Sequence, residues 1–195
     1  MSLVIEEVSP DRLCEYAEIP IAFEVKSILK VSVIDGGLGG IRLKEERIEP
    51  AYIKDYDSYE DDGPERWLKN FNLDNFGFLL GLDGERRVGA AAVAYDTPDL
   101  HILAGRKDLA VLWDIRVHPQ VRRRGIGTAL FGHAADWARQ KGCRQLKIET
   151  QNVNVPACRF YASRGSRLGE VNRYGYAGHP EVAHEVMLVW YLDLS

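Results

Sequence analysis

The chain has 195 residues, 46% of them hydrophobic, and a formal net charge of −4 at pH 7. That length can bury a full core in one domain, and the acidic balance argues against a dedicated nucleic-acid binder. No apolar run approaches the roughly 18 residues of a membrane span, and no basic-then-apolar signal region opens the chain. Three widely spaced cysteines, Cys14, Cys143 and Cys158, suit a reducing cytoplasm, with neither a disulfide framework nor a zinc site. His179 and His184 are five residues apart, wrong for one helix face, so no metal is expected.

Val4 to Val8 reads as a short strand. Ser9-Pro10-Asp11 then reads as a helix start, with Ser9 as N-cap and Pro10 at the first helical position. Phe23 to Ile34 is rich in β-branched side chains and ends at Asp35-Gly36-Gly37-Leu38-Gly39-Gly40, and Ile41 to Ile48 returns, which predicts a long hairpin. Those glycines open no helix, so a turn is favoured over a phosphate loop. Residues 49–66 form an acidic insertion in which Asp55, Asp57, Glu60, Asp61, Asp62 and Glu65 interleave with Tyr52, Tyr56 and Tyr59. A short helix around Pro64 to Phe71 follows. Phe76 to Leu82 and Arg87 to Tyr95 predict a second hairpin across Asp83-Gly84-Glu85, and Thr97 to Lys107 a loop.

In the next strand Val111, Trp113, Ile115 and Val117 face one side, and Leu112, Asp114 and Arg116 the other. The stretch Arg122-Arg123-Arg124-Gly125-Ile126-Gly127-Thr128-Ala129-Leu130 then turns into an amphipathic helix that runs to Gly142 and buries Ile126, Ala129, Leu130, Ala134, Trp137 and Ala138. Unpaired amides and the helix dipole at such a start attract an anion, and glycines let the backbone come close to it. Leu146, Ile148 and Thr150 alternate with Lys147, Glu149 and Gln151 in a further strand. Asn154 is a plausible N-cap for a helix on which Ala157 and Tyr161 share a face, and strands around 167–174 and 185–194 close the chain. This order predicts one mixed α/β domain over 1–195, built around a single sheet.

Three phosphate grips compete for the glycine turn. A P-loop needs GxxxxGK[ST], and neither Lys-Ser nor Lys-Thr follows these glycines. A Rossmann fingerprint needs a third glycine where Leu130 stands, and an early βαβ unit that is not present. The third pattern, Arg-x-x-Gly-x-Gly over Arg122 to Gly127, closely resembles the acetyl-CoA pyrophosphate loop of the GNAT superfamily of N-acetyltransferases. Asn154, Ala157, Phe160 and Tyr161 match the superfamily's second signature, Asn-x-x-Ala-x-x-Phe-Tyr. The resemblance spans residues 109–174 in detail. Phe23-Glu24-Val25, Tyr52-Ile53-Lys54-Asp55-Tyr56, Asp114-Ile115, Glu149-Thr150-Gln151 and Trp190-Tyr191-Leu192 are similar to one branch, the streptothricin acetyltransferases. Ser166 departs from it, since the superfamily usually places a packing Phe after Gly165.

The resemblance implies an α/β (α+β) fold with a mixed, mostly antiparallel central sheet flanked by helices. It also implies acetyl-CoA as co-substrate and direct attack on the thioester by an amine in a ternary complex. Ile115 and Val117 would offer backbone to the pantetheine arm, the amides of Arg122, Arg123, Arg124, Gly125, Ile126, Gly127 and Thr128 would hold the pyrophosphate, and Asn154 would bind the cofactor. Tyr161 would serve as general acid, against a bland reading as a core aromatic. Glu149 would serve as base, with a solvated surface carboxylate an equal alternative. Asp114 is read either as an acceptor contact or as a salt bridge to Arg116 or to a neighbouring strand. Arg116 and His118 would join the three arginines around the cofactor phosphates. Cys158, in a first helical turn, raises a covalent acetyl-cysteine route that is disfavoured against a small buried cysteine. The acidic insertion, through Asp61 and Asp62, would attract a small polycationic acceptor such as a streptothricin-type antibiotic. A protein N-acetyltransferase and a non-catalytic acyl-CoA-binding module are the competing readings. No nucleic-acid or membrane partner is expected, and a homodimer is compatible with the resemblance.

Overall fold

The computed structural model describes residues 2–59 and 63–195. In chain order it contains β1 (Leu3–Val8), α1 (Leu13–Ala17), β2 (Phe23–Val33), β3 (Ile41–Lys54), α2 (Pro64–Asn70), β4 (Phe76–Asp83) and β5 (Arg86–Tyr95). Then come β6 (Leu109–Val117), α3 (Ile126–Gln140), β7 (Gln145–Gln151), α4 (Val155–Ser163), β8 (Arg167–Asn172) and β9 (Met187–Asp193). The chain divides into two compact units: residues 1–22, 55–148 and 192–195 form the first, and residues 23–54 and 149–191 the second. Among the described residues no helix is long and apolar enough to cross a membrane.

In the first unit β1, β4, β5 and β6 pair antiparallel in that order, and β6 pairs in parallel with the start of β7, Leu109 opposite Gln145 through Leu112 opposite Ile148. This is the mixed, mostly antiparallel sheet that was expected. Helix α3 has apolar residues at helical spacing, and Ile126, Leu130, Phe131, Ala134, Ala135, Trp137 and Ala138 are buried as it packs across β4, β5 and β6. Each fully buried large apolar side chain of this kind contributes about 1.5–3 kcal/mol. Ala129, expected in that face, is only half-buried.

Trp137 lies flat enough on β4 that a Cβ at Gly77 would stand 2.4 Å from its ring. Gly77→Ala therefore overpacks the helix–sheet interface, with an expected loss of about 2 kcal/mol in chemical denaturation. Successive strand residues alternate faces, so Phe76 and Phe78 point to the other side of β4. There they stack at 5.7 Å, and Phe78 also stacks on Trp67 at 6.1 Å, while Tyr16 meets Trp67 edge-on at 5.4 Å.

Strand β6 does not alternate as its sequence suggests. Val93 pairs with Leu112 but Ala92 pairs with Asp114, so Trp113 is an extra residue with no partner in the ladder. Its ring reaches Phe71 at 5.2 Å and Phe76 at 6.5 Å. Trp113 thus joins the aromatic cluster that also includes Tyr16, the partner of Asp114, whereas strict alternation had placed Trp113 and Asp114 on opposite faces.

The second unit contains the β2–β3 hairpin, the β8–β9 pair and α4. Strand β3 runs past Ile48, where the sequence pattern ended it, to Lys54, because Glu24 and Val25 still find partners in Ile53 and Tyr52. The first part of the acidic insertion is therefore strand. Lys54 and Glu185 form a buried pair in this unit, with Nζ 2.5 and 2.6 Å from the two carboxylate oxygens.

Candidate functional site

The glycine turn lies wholly in the first unit, and it is exposed from Arg122 to Gly125. Arg123 (φ +65°) and Gly125 (φ +83°) both adopt the left-handed conformation. Gly125 is suited to that conformation, but for Arg123 it is uncommon, and such strain clusters at ligand clamps. The first backbone bond into α3 runs from the Ala129 amide to the Gly125 carbonyl at 3.0 Å. The amides of Ile126, Gly127 and Thr128 therefore precede the helical ladder and carry the positive end of its dipole. An anion fits this arrangement.

The side chains of the basic cluster are divided in their tasks. Arg122 donates from Nε to the Val117 carbonyl at 3.1 Å and from a terminal nitrogen to the Ala22 carbonyl at 2.9 Å, and burial lowers its pKa below the usual arginine value. Its guanidinium ties down the turn. His118 accepts at Nδ1 from the Gln120 amide. Arg116 is not among the phosphate-facing cations expected from the sequence, because its side chain is only 1% exposed and committed elsewhere.

Arg116 donates to both oxygens of Asp114, at 3.0 and 2.7 Å, and to both oxygens of Asp57, at 2.8 and 3.1 Å. It also donates to the Ile19 carbonyl, and it lies over the ring of Tyr16 at 5.2 Å. The Tyr16 hydroxyl donates to Asp114 at 2.6 Å. Burial opposes the Arg116 charge, but the charge and hydrogen bonds of Asp114, helped by Tyr16 and Asp57, outweigh it and leave the guanidinium above its ordinary pKa. Burial, reinforced by the Asp114 charge, holds the Tyr16 phenol well above its usual value. Asp114 therefore carries the salt bridge to Arg116, and its side chain is 8% exposed. Of its two readings the structure shows the salt bridge, set in a packed polar network, because a buried carboxylate in this position needs a counter-charge.

A cleft of about 760 Å³ opens in the first unit, lined by Glu7, Leu68, Phe71, Asp74, Phe76 and Phe78 among others, and none of the sequence-derived candidates lines it. Ile115 and Val117 are half-buried near the end of β6. Asp61 and Asp62 fall outside the described residues. Among the described residues no group of three His, Cys, Asp or Glu side chains could hold a metal ion.

Glu149, Asn154 and Tyr161 belong to the second unit. Burial along β7 alternates as predicted, with Leu146, Ile148 and Thr150 inward and Lys147, Glu149 and Gln151 half-exposed. Glu149 accepts from the Tyr176 hydroxyl at 2.9 Å, and that hydroxyl accepts from the Gln151 side-chain amide at 2.9 Å. Asn154 caps α4, its side chain accepting from the Ala157 amide at 3.2 Å. Tyr161 is buried, with its ring 5.5 Å from Phe160, and its carbonyl accepts from the Ser166 amide. Ser166 is itself buried, and its hydroxyl finds no partner among the described residues. Burial pushes the Cys158 thiol up to about 12, which argues against a thiolate nucleophile there.

Sequence reasoning missed Tyr16, the tie from Asp57 to Arg116, and Tyr176. Tyr176 had one weak signal, an aromatic set between glycines in Tyr174-Gly175-Tyr176-Ala177-Gly178. The others had none, since their partners lie far away in the chain.

The model of the acetyltransferase (GNAT) family matches residues 42–165. The streptothricin acetyltransferase of Streptomyces lavendulae is 32% identical over 148 residues, covering 74% of this chain and 70% of that protein. The Escherichia coli streptothricin acetyltransferase is 29% identical over 184 residues, covering 94% and 92%. Streptothricin acetyltransferase A of Bacillus subtilis is 38% identical over 82 residues, and the match spans only 47% of that protein. Among solved structures, a Bacillus anthracis protein classed with the streptothricin acetyltransferases, in complex with acetyl coenzyme A, superimposes with a TM-score of 0.77 at 26% identity over 98% of this chain and 99% of that one. Nourseothricin acetyltransferase shares the fold, with a TM-score of 0.78 at 22% identity over the whole of both chains.

Proposed function

The chain belongs to the acetyltransferase (GNAT) family, and from that premise we propose that it transfers an acetyl group from acetyl-CoA to a primary amine of a small cationic acceptor. The observation that carries the donor half of this reading is the turn from Arg122 to Thr128, exposed as far as Gly125, with its two left-handed residues and three amides ahead of the helical ladder. Such a turn suits a pyrophosphate. Ile115 and Val117 offer backbone to the pantetheine arm, and Asn154 binds the cofactor. Glu149 takes the proton from the acceptor ammonium, and Tyr161 protonates the leaving thiolate. Asp114 supports the site through Arg116 rather than touching the acceptor.

For the acceptor, we favour a streptothricin-type antibiotic, on the strength of relatives that carry that name and of the acidic stretch beginning at Asp55. Carboxylates interleaved with Tyr56 and Tyr59 suit a polycation, through charge and through cation–π faces. This reading places the protein in the cytoplasm, without a nucleic-acid or membrane partner, and is compatible with a homodimer. Acetyl-CoA should release CoA fastest with streptothricin in a panel that also contains aminoglycosides, polyamines and short peptides. Fastest turnover with a peptide would make this a protein acetyltransferase, and silence with every amine would leave an acyl-CoA-binding module. Charge reversal, Asp61→Lys with Asp62→Lys, should raise the acceptor KM about tenfold at low salt and much less at high salt, with the acetyl-CoA KM unchanged. An unchanged acceptor KM in initial-rate measurements removes the insertion from recognition.

A further inference from the structure

The segment between β8 and β9 delivers one buried aromatic, Tyr176, onto the half-exposed face of β7. Its hydroxyl lies 2.9 Å from Glu149 Oε1 and 2.9 Å from Gln151 Nε2. A phenol has one proton to give. The Gln151 amide is a donor, so it occupies the acceptor side of the hydroxyl and directs that proton to Glu149. Gln151 and Glu149 are two residues apart on a strand, so their side chains share a face and a single hydroxyl can bridge them. The segment itself is pinned: the Tyr176 carbonyl accepts from the His179 amide at 2.9 Å, the Val186 amide donates to the Asn152 side chain at 2.8 Å, and Glu185 pairs with buried Lys54.

We propose that Tyr176 is a positioning residue, which, oriented by Gln151, holds the Glu149 carboxylate in one rotamer. This inference rests on the reading of Glu149 as the base. A fixed rotamer sets the direction in which the carboxylate presents itself to a proton. The role is one of positioning because the hydroxyl acts through Glu149.

The test uses Tyr176→Phe, which removes one oxygen and keeps the ring, in two backgrounds. In the wild-type background kcat is expected to fall roughly tenfold with the acetyl-CoA KM unchanged. In the Glu149→Asp background, where the carboxylate is withdrawn by one methylene from the tyrosine, the same change should alter kcat less than about twofold. An equal loss in both backgrounds would show that Tyr176 is merely structural, and no loss in the wild-type background would show that it does nothing for Glu149; either overturns the proposal. Glu149→Gln is measured in parallel to separate the two claims. Full turnover in that variant overturns the base assignment and this inference with it. Lost turnover alongside a silent Tyr176→Phe overturns the inference alone.

Discussion

Glu149→Gln is expected to lower kcat by about a hundredfold or more while the Kd for acetyl-CoA stays within about twofold of wild type. The acceptor reaches the enzyme as an ammonium with a pKa near that of lysine, about 10, so it must lose a proton before it can attack a thioester. Glutamine has the shape of glutamate but cannot take that proton. Its carbonyl oxygen can still accept from Tyr176, so the bond at 2.9 Å survives and the local geometry is kept. The expected pattern is therefore a fall in kcat with cofactor affinity retained, read from CoA release and from calorimetric titration of acetyl-CoA. Turnover at the wild-type rate would make Glu149 a solvated carboxylate, one of the two readings left open by its sequence context.

The largest expected stability effect lies at Arg116. Arg116→Met should destabilise the protein by about 3–5 kcal/mol, because a buried charge loses its partner. For a chain of this size that corresponds to a fall in Tm of about 6–20 °C. The guanidinium, 1% exposed, is shared by Asp114 and by Asp57, whose own side chains are 8% and 28% exposed. Asp57 can recover water when Arg116 is lost, whereas Asp114, held beside the fully buried Tyr16, cannot do so without opening the aromatic cluster. Adding Asp114→Asn to Arg116→Met should therefore recover part of the loss, and Asp57→Asn in the same background should recover little. Denaturant unfolding of the four proteins distinguishes the cases. Equal recovery from both asparagine changes would locate the cost in the lost guanidinium contacts rather than in a stranded carboxylate.

The two sites differ in how far they could be read from sequence. The alternation of β7 is local, so the half-exposed setting of Glu149 was predictable from Leu146, Ile148 and Thr150 alone. The same reasoning failed at β6, because one extra residue at Trp113 breaks the period of two, and only pairing with β5 reveals it. For Asp114 the sequence left an acceptor contact and a salt bridge to Arg116 both open, and the structure shows the salt bridge. Strand β3 was cut short at Ile48 for a related reason: residues 49–66 read as an acidic insertion, but cross-strand partners in β2 carry the ladder on to Lys54.

The sequence by itself determined the glycine turn from Arg122 to Thr128 that opens α3, the cap at Asn154, the apolar face of α3 and the family to which the chain belongs. Each of these is written in contiguous residues whose spacing and backbone freedom have one physical outcome. Only the tertiary structure decided which polar side chains neutralise each other: Tyr16 with Asp114 across 98 residues, Arg116 with Asp57 across 59, Tyr176 with Glu149 across 27, and Glu185 with Lys54 across 131. Such pairings follow from burial, since a polar group taken out of water must find its partner wherever the fold brings one, and no local pattern announces where that will be.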